Sequence, residues 1–421
     1  MKLEKSIFLL FILLLNTLNG MAQITEKPVG CYAGTNGTHP LAMEHSESRG
    51  VLISQRWSEI ELSPGVFDFT PVNAKIDLIK DAGLKYSLAI LGGTVGSPEW
   101  LIDELSAPYV DHTFHGEPLK LPLWWDSIVQ ARLDIMILEL GDQYAHDTAL
   151  SHVYVTQMSA NGVEGHLNGL DIGAFEDAGF TAEKWINSAL VTIDQFASAF
   201  PDKALAFEVH EIDGSVYVPS TIMDSVFANE DYCERIGLAT WWLSGKETYQ
   251  PDLLDYIENF EGDKYGQVIG RSDQIERFRD ELYSTVFDQA KVLGLRYVEP
   301  WPFEFQYHTH DELLADFNTW ADLNFTTTDT CHTLSIAEHN EFNELSVYPN
   351  PIKNTVYLNL NDSNNTIQMV SVLNLAGKVV LITEGDGKEV QLEMSNLASG
   401  FYCLVVQLNT GESLKIKVIR E

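Results

Sequence analysis

The stretch GVLISQRWSEIELSPGVFDFTPVNAKIDLIKDAGLKYSLAILGG (50–93) contains a strand, a helix and a second strand in succession. Its two ends, GVLISQRW (50–57) and LKYSLAILGG (84–93), are short apolar runs without strict alternation. Such runs are typical of strands buried on both faces of a parallel sheet. Between them, TPVNAKIDLIKDAG (70–83) has apolar residues at three- and four-residue steps, which predicts an amphipathic helix. The stretch therefore predicts one strand–helix–strand unit of a parallel sheet.

The same pattern continues through the middle of the chain. Eight runs are predicted to be strands: PVGCYAG (28–34), GVLISQRW (50–57), LKYSLAILGG (84–93), HVYVTQMSANG (152–162), ALAFEVHE (204–211), IGLATWWLSG (236–245), YGQVIGR (265–271) and LRYVEPW (295–301). Helical periodicity separates several of them, at 70–83, 123–145, 181–200 and 272–294. Eight such units predict an α/β fold, a (β/α)8 TIM barrel over 24–325. A doubly wound sheet is the alternative, although GTNGTHP (34–40) lacks the Gly-rich phosphate turn that such a sheet normally has.

The charge of the chain is concentrated in this middle block. The 421 residues include 61 acidic and 26 basic ones, for a formal net charge of −35. Between Ile24 and His339 there are 51 acidic and 18 basic residues, so this block alone carries −33. Such a surface argues against binding to nucleic acid or to anionic lipid. A hydrophobic content of 45% also excludes a disordered acidic tail.

The N-terminus has the pattern of an export signal. Lys2 and Lys5 precede an apolar run from Ile7 to Leu15, and small residues follow up to Ala22. A membrane anchor is the alternative, but the run is shorter than the roughly 20 residues that span a bilayer. Residues 1–22 are therefore predicted to be a signal peptide. No other segment is predicted to span a membrane.

A small all-β sandwich module is predicted at 344–421, after a polar, Thr-rich linker at 326–343. Four motifs in order resemble the C-terminal sorting domain of Bacteroidetes type IX secretion: VYPNP (347–351), VLNLAGKVV (372–380), LASGFYCLVV (397–406) and LKIKVIRE (414–421). The resemblance implies outer-membrane passage by the type IX machinery, removal of the module, and release or attachment at the cell surface. A carbohydrate-binding sandwich is the alternative.

A second resemblance concerns the barrel. QRWSEIELSPGVFDFTPVNAKIDLIKDAGLKYSLAILGGTVGSPEWL (55–101) is similar to the N-terminal half of barrel glycoside hydrolases in the large retaining clan that includes β-galactosidases. The shared pattern is a strand-two Trp, an acidic residue before Pro-Gly, Phe-Asp-Phe, a helix, Gly-Leu-Lys, an apolar strand and Pro-x-Trp. The resemblance implies an acid/base Glu after strand four and a nucleophile Glu at the end of strand seven. Here strand four is followed by Asn161-Gly-Val-Glu164, and strand seven has no carboxylate before Asp273.

Carboxylates mixed with indoles follow the predicted strands, as sugar chemistry requires. Glu164 is the predicted general acid/base, because it follows the fourth strand in a Gly-flanked loop. Glu299 and Glu208 are alternatives for the second carboxylate. Glu299 lies between Val298 and Pro300 and is expected to point into the barrel mouth. Glu208 is expected to share a strand face with His210, and a structural pairing is its alternative role.

Further residues are predicted to bind substrate. Arg56 is expected to need a carboxylate partner, either a catalytic glutamate or a structural one at Glu59 or Glu208. Trp301 is the main candidate for stacking on a sugar, and Trp57 and Trp241 are weaker ones because large aromatics usually pack in a core. The remaining candidates hydrogen-bond substrate or orient a catalytic group: His39, Asn161, His166 and His210.

The sequence thus predicts a secreted or surface-attached glycoside hydrolase that acts on a poly- or oligosaccharide, such as a galactan or a fucan. The alternative is a non-catalytic glycan-binding protein on a degenerate barrel, which the missing strand-seven glutamate favours. The predicted partners are a carbohydrate and the type IX machinery, and no cofactor is predicted. No HExxH, EF-hand, GxSxG or P-loop motif occurs, so metal-dependent and serine hydrolysis are disfavoured. Cys31 and Cys331 either form a disulfide or stay unpaired.

Overall fold

The computed structural model of the chain describes residues 23–331, 345–360, 365–373, 379–409 and 413–420. Two compact units, residues 1–333 and 334–421, are considered separately below. The predicted signal peptide at 1–22 lies outside the described residues, as does much of the predicted linker. Within the described part of the chain, no helix is long and apolar enough to cross a membrane.

The first unit contains a sheet of eight parallel strands, one for each predicted strand. In chain order, and named first to eighth below, these are Gly30–Cys31, Gly50–Arg56, Lys85–Leu91, Leu150–Tyr154, Ala204–Glu208, Ile236–Leu243, Lys264–Val268 and Tyr297–Glu299. Each pairs with its neighbours along the chain, and a parallel bridge between Ala33 and Val51 joins the first strand to the second. The sheet is therefore a nearly closed barrel, and the predicted TIM-barrel fold is confirmed.

Amphipathic helices cover the outside of the barrel. The helix Ala182–Ala199 shows why they form: Thr181 caps its first turn, and its buried residues recur at three- and four-residue steps from Trp185 to Ala197. The other helices longer than one turn are Thr70–Asp81, Ser127–Tyr144, Ile172–Asp177, Tyr217–Phe227, Pro251–Asn259, Ser284–Leu293, Pro302–Tyr307 and Asp311–Asn324. Single turns lie at Pro40–Met43, Trp57–Ile60, Gly93–Gly96 and Trp100–Asp103, and 3-10 turns at Glu230–Tyr232, Ile275–Arg277 and Arg279–Glu281.

Three two-stranded sheets complete this unit. Glu61–Ser63 pairs with Val66–Phe67 after the second barrel strand, and Tyr109–Phe114 pairs with Glu117–Pro122 after the third. Gln23–Glu26 pairs with Thr328–Cys331, antiparallel and in the register Gln23 to Cys331. The linker predicted from residue 326 thus begins with a strand, because the β-branched Thr328 and Thr330 find hydrogen-bonding partners far away in the sequence.

One local prediction is wrong, and one alternative that the sequence left open is decided. The helix expected over 272–294 begins at Ser284, because Asp280 and Glu281 adopt φ values of 54° and 60° that no α-helix accommodates. A Cys31–Cys331 disulfide does not form, since Cys31 is a free thiol and is fully buried. Cys233, by contrast, is disulfide-bonded.

A basic residue stands at or shortly before the first residue of seven of the eight barrel strands. We call this set the basic ring: Lys27, Arg49, Lys85, Lys203, Arg235, Lys264 and Arg296. Its members bind acids or carbonyl groups at this end of the barrel. Lys27 forms an ion pair with Asp263 at 2.7 Å, for example, and Arg235 donates to the carbonyl of Ala197 at 2.7 Å. The ring places many of the unit's positive charges at the amino ends of the strands.

The second unit consists of two antiparallel sheets. One contains Leu345–Tyr348, Thr355–Leu360 and Glu389–Glu393, and the other contains Val379–Gly387, Ile367–Leu373, Gly400–Leu408 and Ser413–Arg420. Buried aliphatic residues from both sheets form one core, with Val356 and Leu358 from the first and Val370, Val372 and Leu404 from the second. This is the all-β module that the sequence predicts.

Candidate active site

The loop after the fourth strand carries Glu164. The strand ends at Tyr154, earlier than predicted, and the following residues fold against the third strand. Gly162 makes this possible: its φ is +91°, and a Cβ there would lie 2.3 Å from the backbone of Gly92. Asn161 then accepts hydrogen bonds from the N–H groups of Val163 (3.1 Å) and Glu164 (2.8 Å) and donates its amide to the Glu164 carboxylate. The loop therefore holds Glu164 in a defined position.

Glu208 is the last residue of the fifth strand, and its side chain is fully buried. Its carboxylate accepts hydrogen bonds from the N–H groups of Gly165 (2.7 Å) and Trp241 (3.1 Å), and Nδ1 of His210 lies 3.0 Å away. The amide of Gln157 donates to the Glu208 carbonyl at 2.7 Å. These three nitrogen atoms thus hold the Glu208 carboxylate in one orientation.

The structure brings Glu164, Glu208 and His210 together at the mouth of the barrel, which we define as the carboxyl ends of its strands. One side-chain atom from each lies within 4.8 Å of the others. Burial and the neighbouring charge of Glu208 raise the pKa of Glu164 to about 7. Its side chain is still 21% exposed, whereas that of Glu208 is not exposed at all. Glu164 is therefore a carboxylic acid that can hold a proton near neutral pH and still meet a ligand.

The pKa values of the two histidines next to Glu164 shift in opposite directions. Burial lowers the pKa of His210, but the charge and hydrogen bond of Glu208 outweigh it, and the net effect is a raised pKa. Burial and the charge of His210 lower the pKa of His166 to about 3. Nδ1 of His166 accepts the N–H of Asn168 at 3.3 Å, and Nε2 lies 3.8 Å from Glu164. His166 is therefore neutral, with its Nε2–H facing Glu164.

Glu299 lies deeper in the barrel than the sequence predicts. It is fully buried, and its carboxylate accepts hydrogen bonds from Tyr154 (3.1 Å), Tyr297, Ser87 (3.3 Å) and Gln267 (2.8 Å). Burial raises its pKa to about 7 despite these donors. Glu299 is thus enclosed within the barrel interior rather than pointing into the open mouth.

Aromatic side chains surround the carboxylates. The Trp241 ring lies edge-on to Tyr154 at 5.0 Å, and its indole N–H is buried without a protein partner. Trp242 packs 5.7 Å from His210 and 5.4 Å from Tyr249, whose side chain is 40% exposed. Trp301 is half-buried after the eighth strand and donates to the Val268 carbonyl at 2.8 Å. Tyr249 and Trp301 therefore have ring surface that is open to a ligand.

Three predicted substrate-binding residues do not join this cluster. Trp57 is fully buried and donates to Glu61 at 2.7 Å, so the structure gives it a packing role. His39 is exposed and caps the turn Pro40–Met43 through Nδ1. Arg56 is exposed at the end of the second strand, and within the described residues its guanidinium forms no ion pair. The expected carboxylate partner of Arg56 is therefore absent there.

Four residues that contribute to the site were not predicted from the sequence. Tyr154 and Gln267 bind Glu299, Gln157 binds the backbone of Glu208, and Tyr249 borders the carboxylates. Strand alternation offers a signal for Gln267, which lies two residues beyond the inward-facing Tyr265. Gln157 and Tyr249 lie in loops, where the sequence has no comparable periodicity.

Among the residues that the structure describes, two clusters have metal-ligating residue types within 4.8 Å: Glu164, Glu208 and His210, and, elsewhere, His45, His308 and Asp311. In the first, Glu208 already accepts three N–H donors. In the second, Nδ1 of His45 accepts the Glu47 N–H at 3.1 Å, which leaves the proton on Nε2, directed at Asp311. A cation would have to displace these hydrogen bonds, so we assign no metal to either cluster.

A small cavity adjoins Glu208 and His210 on the other side of the fifth strand. Phe207, Val209 and side chains of the surrounding helices, including Trp185 and Val218, contribute most of its lining. These residues belong to the hydrophobic core outside the barrel interior. The cavity is therefore a packing gap behind the site and not the cleft that Glu164 faces.

Comparison with known proteins gives a family match and many structural likenesses, two of which are described here. A search of the curated proteins found no match. The catalytic domain of a β-amylase from Paenibacillus polymyxa aligns with 72% of this chain and 100% of its own, at 11% identity and a TM-score of 0.47. A cold-adapted β-galactosidase from Rahnella sp. R3 aligns with 71% of this chain, at 11% identity and a TM-score of 0.46, and this chain spans 58% of its length. These are likenesses of backbone fold.

Residues 346–421 match the model of the secretion system C-terminal sorting domain. This match covers the second unit and agrees with the motifs that resemble the type IX module. The C-terminal module is therefore a type IX sorting domain, and the protein is secreted or attached at the cell surface.

Proposed function

We propose that this protein is a secreted glycoside hydrolase, with Glu164 as the proton donor and Glu208 as the second carboxylate. The observation that carries the proposal is the pair itself: two glutamates at the carboxyl ends of neighbouring strands, with carboxylate oxygens within 4.8 Å of each other. Burial and the charge of Glu208 raise the pKa of Glu164 to about 7. Glycoside hydrolysis needs one carboxyl group that holds a proton and one that is ionised.

In this mechanism Glu164 protonates the oxygen of the glycosidic bond as it breaks. Asn161 positions the Glu164 side chain, and neutral His166 offers an N–H toward it. Glu208, oriented by the N–H groups of Gly165 and Trp241, stabilises the positive charge that develops at the anomeric carbon. The exposed ring surfaces of Tyr249 and Trp301 stack on sugar rings. The short carboxylate separation is closer to the roughly 5–5.5 Å of retaining enzymes than to the wider spacing of inverting ones.

A second candidate function is glycan binding without hydrolysis. Gln267 occupies the end of the seventh strand, where the resembling hydrolases have their nucleophile, and Glu299 beside it is enclosed by four donors. The complete burial of Glu208 also favours this candidate, because a nucleophile must reach the anomeric carbon.

Replacing Glu164 by Gln separates the two functions. Wild-type protein is incubated with a panel of algal and plant polysaccharides, and reducing ends and product sizes are measured. We expect Glu164→Gln to lose at least about 100-fold of the rate of sugar release while retaining affinity for the polymer on a gel. Glu183→Gln, on the surface helix Ala182–Ala199, serves as the matched control. Polymer retention without any reducing ends from wild-type protein would reject hydrolysis and support binding alone.

A further inference from the structure

We propose that the mouth of the barrel accepts glycans without acidic groups and excludes sulfated and uronic acid polymers. This inference rests on the proposed function, because it names the substrate class of the same site. It is drawn from the distribution of charge along the barrel axis, which is independent of the catalytic assignment.

Positive charge is concentrated at the end of the barrel that is remote from the site. The block from Ile24 to His339 has 18 basic residues against 51 acidic ones, and seven of those bases form the basic ring at the amino ends of the strands. The carboxylates Glu164 and Glu208 lie at the opposite, carboxyl ends. A ligand at the mouth is therefore too far from the ring to be attracted by it once salt screens beyond about 8 Å.

The basic residues in the loops that follow the sixth and seventh strands already have partners. Arg271 forms an ion pair with Asp273 at 2.9 Å, and Arg279 forms one with Glu247. The remaining two, Lys246 and Arg277, donate to the carbonyl groups of Glu276 (2.9 Å) and Ile269 (2.7 Å). Arg271 and Arg279 are thus paired with carboxylates, and Lys246 and Arg277 are each bound to a backbone carbonyl.

Lys75, on the helix Thr70–Asp81, is engaged in the same way near the end of the second strand. Its ammonium group donates to the side chains of Asn36 and Gln55, each at 2.9 Å. Arg56 is the remaining cation on that strand, and it is a single exposed charge. One exposed guanidinium is not the cluster of cations that recognition of a polyanionic chain uses.

The negative charge extends to the open wall of the mouth. Burial raises the pKa of the Tyr249 phenol, and the charges of Glu164, Glu208 and Glu211 raise it further. The field of these carboxylates therefore reaches a side chain that is 40% exposed. Above about pH 7, where Glu164 has lost its proton, a sulfate on a sugar ring stacked there would meet like charges in a partly desolvated place, where screening is weak.

The field can be measured without any glycan by the rate of thiol modification. Tyr249→Cys protein is treated with cationic and anionic methanethiosulfonates, and each rate is divided by the rate with a free thiol. Val292→Cys, at a site that is 66% exposed on the helix Ser284–Leu293, reports the general charge of the protein. Wild-type protein, treated in parallel, is the blank that accounts for any reaction at the four native cysteines.

We expect the cationic reagent to be favoured at least about tenfold more at position 249 than at position 292 in 50 mM salt, and the preference to shrink in 1 M salt. Ser215→Cys, in the exposed loop after the fifth strand, is the second site if the first variant folds poorly. Equal preference at the mouth and at position 292 would overturn the inference.

A matched pair of polymers tests the substrate class directly. A sulfated galactan and the same polymer after chemical desulfation are compared by retention of the wild-type protein on a gel. We expect the desulfated polymer to retain the protein at least about tenfold more strongly at low salt. Stronger retention by the sulfated polymer overturns the inference while leaving hydrolysis intact. A third outcome is that thiol labelling is cation-selective but no glycan of the panel is bound or cleaved. The proposed function is then rejected, and the proposed substrate class is rejected with it.

Discussion

The buried carboxyl of Glu299 should make the stability of the barrel depend on pH. Its pKa is raised from 4.5 to about 7, chiefly by burial. The folded protein therefore keeps the proton up to about pH 7, whereas the unfolded chain releases it above about pH 4.5. The free energy of unfolding consequently falls as the pH rises through this window. Above about pH 7 both the folded and the unfolded chain have lost the Glu299 proton, so Glu299 no longer makes the free energy of unfolding depend on pH.

The size of the effect follows from the shift. A pKa difference of one unit corresponds to 1.36 kcal/mol, so a rise from 4.5 to about 7 corresponds to about 3 kcal/mol. Glu299→Gln removes the titrating proton but keeps the size of the side chain. The amide introduced by this substitution faces the Gln267 amide. This mismatch lowers the free energy of unfolding by the same amount at every pH. The prediction therefore concerns the change with pH and not the absolute stability.

Tryptophan fluorescence is a suitable assay, because all nine tryptophans lie between residues 57 and 320 and report on the barrel unit alone. Urea unfolding of wild-type and Glu299→Gln protein is followed at pH 4.5 and pH 8. We expect the stability of the wild type, relative to the variant, to fall by about 3 kcal/mol between these pH values. Glu164 titrates in both proteins, so its contribution cancels in the comparison.

Glu312→Gln on the exposed surface of the helix Asp311–Asn324 is the control and should retain the wild-type pH dependence. If Glu299→Gln loses as much stability as the wild type between the two pH values, burial of Glu299 does not raise its pKa. Glu299 would then not be enclosed within the barrel interior.

Three further predictions concern the catalytic loop, the packing beneath it and export. Asn161→Ala removes a hydrogen bond that lowers the pKa of Glu164. The alkaline limb of the pH–rate profile reports loss of the Glu164 proton near pH 7, so it should move to higher pH in this variant. An unmoved limb would contradict Glu164 as the proton donor. Glu61→Gln leaves the partly buried Arg132 without its ion-pair partner and should lower the free energy of unfolding in urea by about 3–5 kcal/mol. Breaking an exposed pair such as Lys291–Asp316 is the control and should lower it by less than about 1 kcal/mol. Deletion of 346–421 should retain the protein inside the cell envelope, as measured by fractionation, and secretion of the truncated chain would show that the module is dispensable.

The barrel itself could be predicted because its signal is local. Each strand is a short apolar run, and each long helix repeats its apolar residues at three- and four-residue steps, as in Ala182–Ala199. The pairing of Glu164 with Glu208 could also be anticipated, because consecutive strands of a parallel barrel are neighbours and their carboxyl ends meet at one face. For these features the order of residues along the chain is sufficient information.

Other parts of the site depended on contacts between distant segments. Asn161 and Gly162 close their loop against Gly92, and Glu299 binds Ser87 and Tyr154 from across the barrel. No periodicity in the sequence reports such contacts, so the mouth-facing orientation predicted for Glu299 was wrong. The same reason applies to Trp57, whose burial depends on the packing of the loops around it.

The sequence by itself determined the strand–helix repeat, the sorting module and the concentration of −33 charges in the barrel block, since each is a property of residue order or composition. Only the tertiary structure decided where those charges meet. It gathers seven basic residues at the amino ends of the strands and leaves Glu164 and Glu208 together at the carboxyl ends. The physical reason is that burial and the field between neighbouring charges depend on distance in space, which the linear order of residues does not contain.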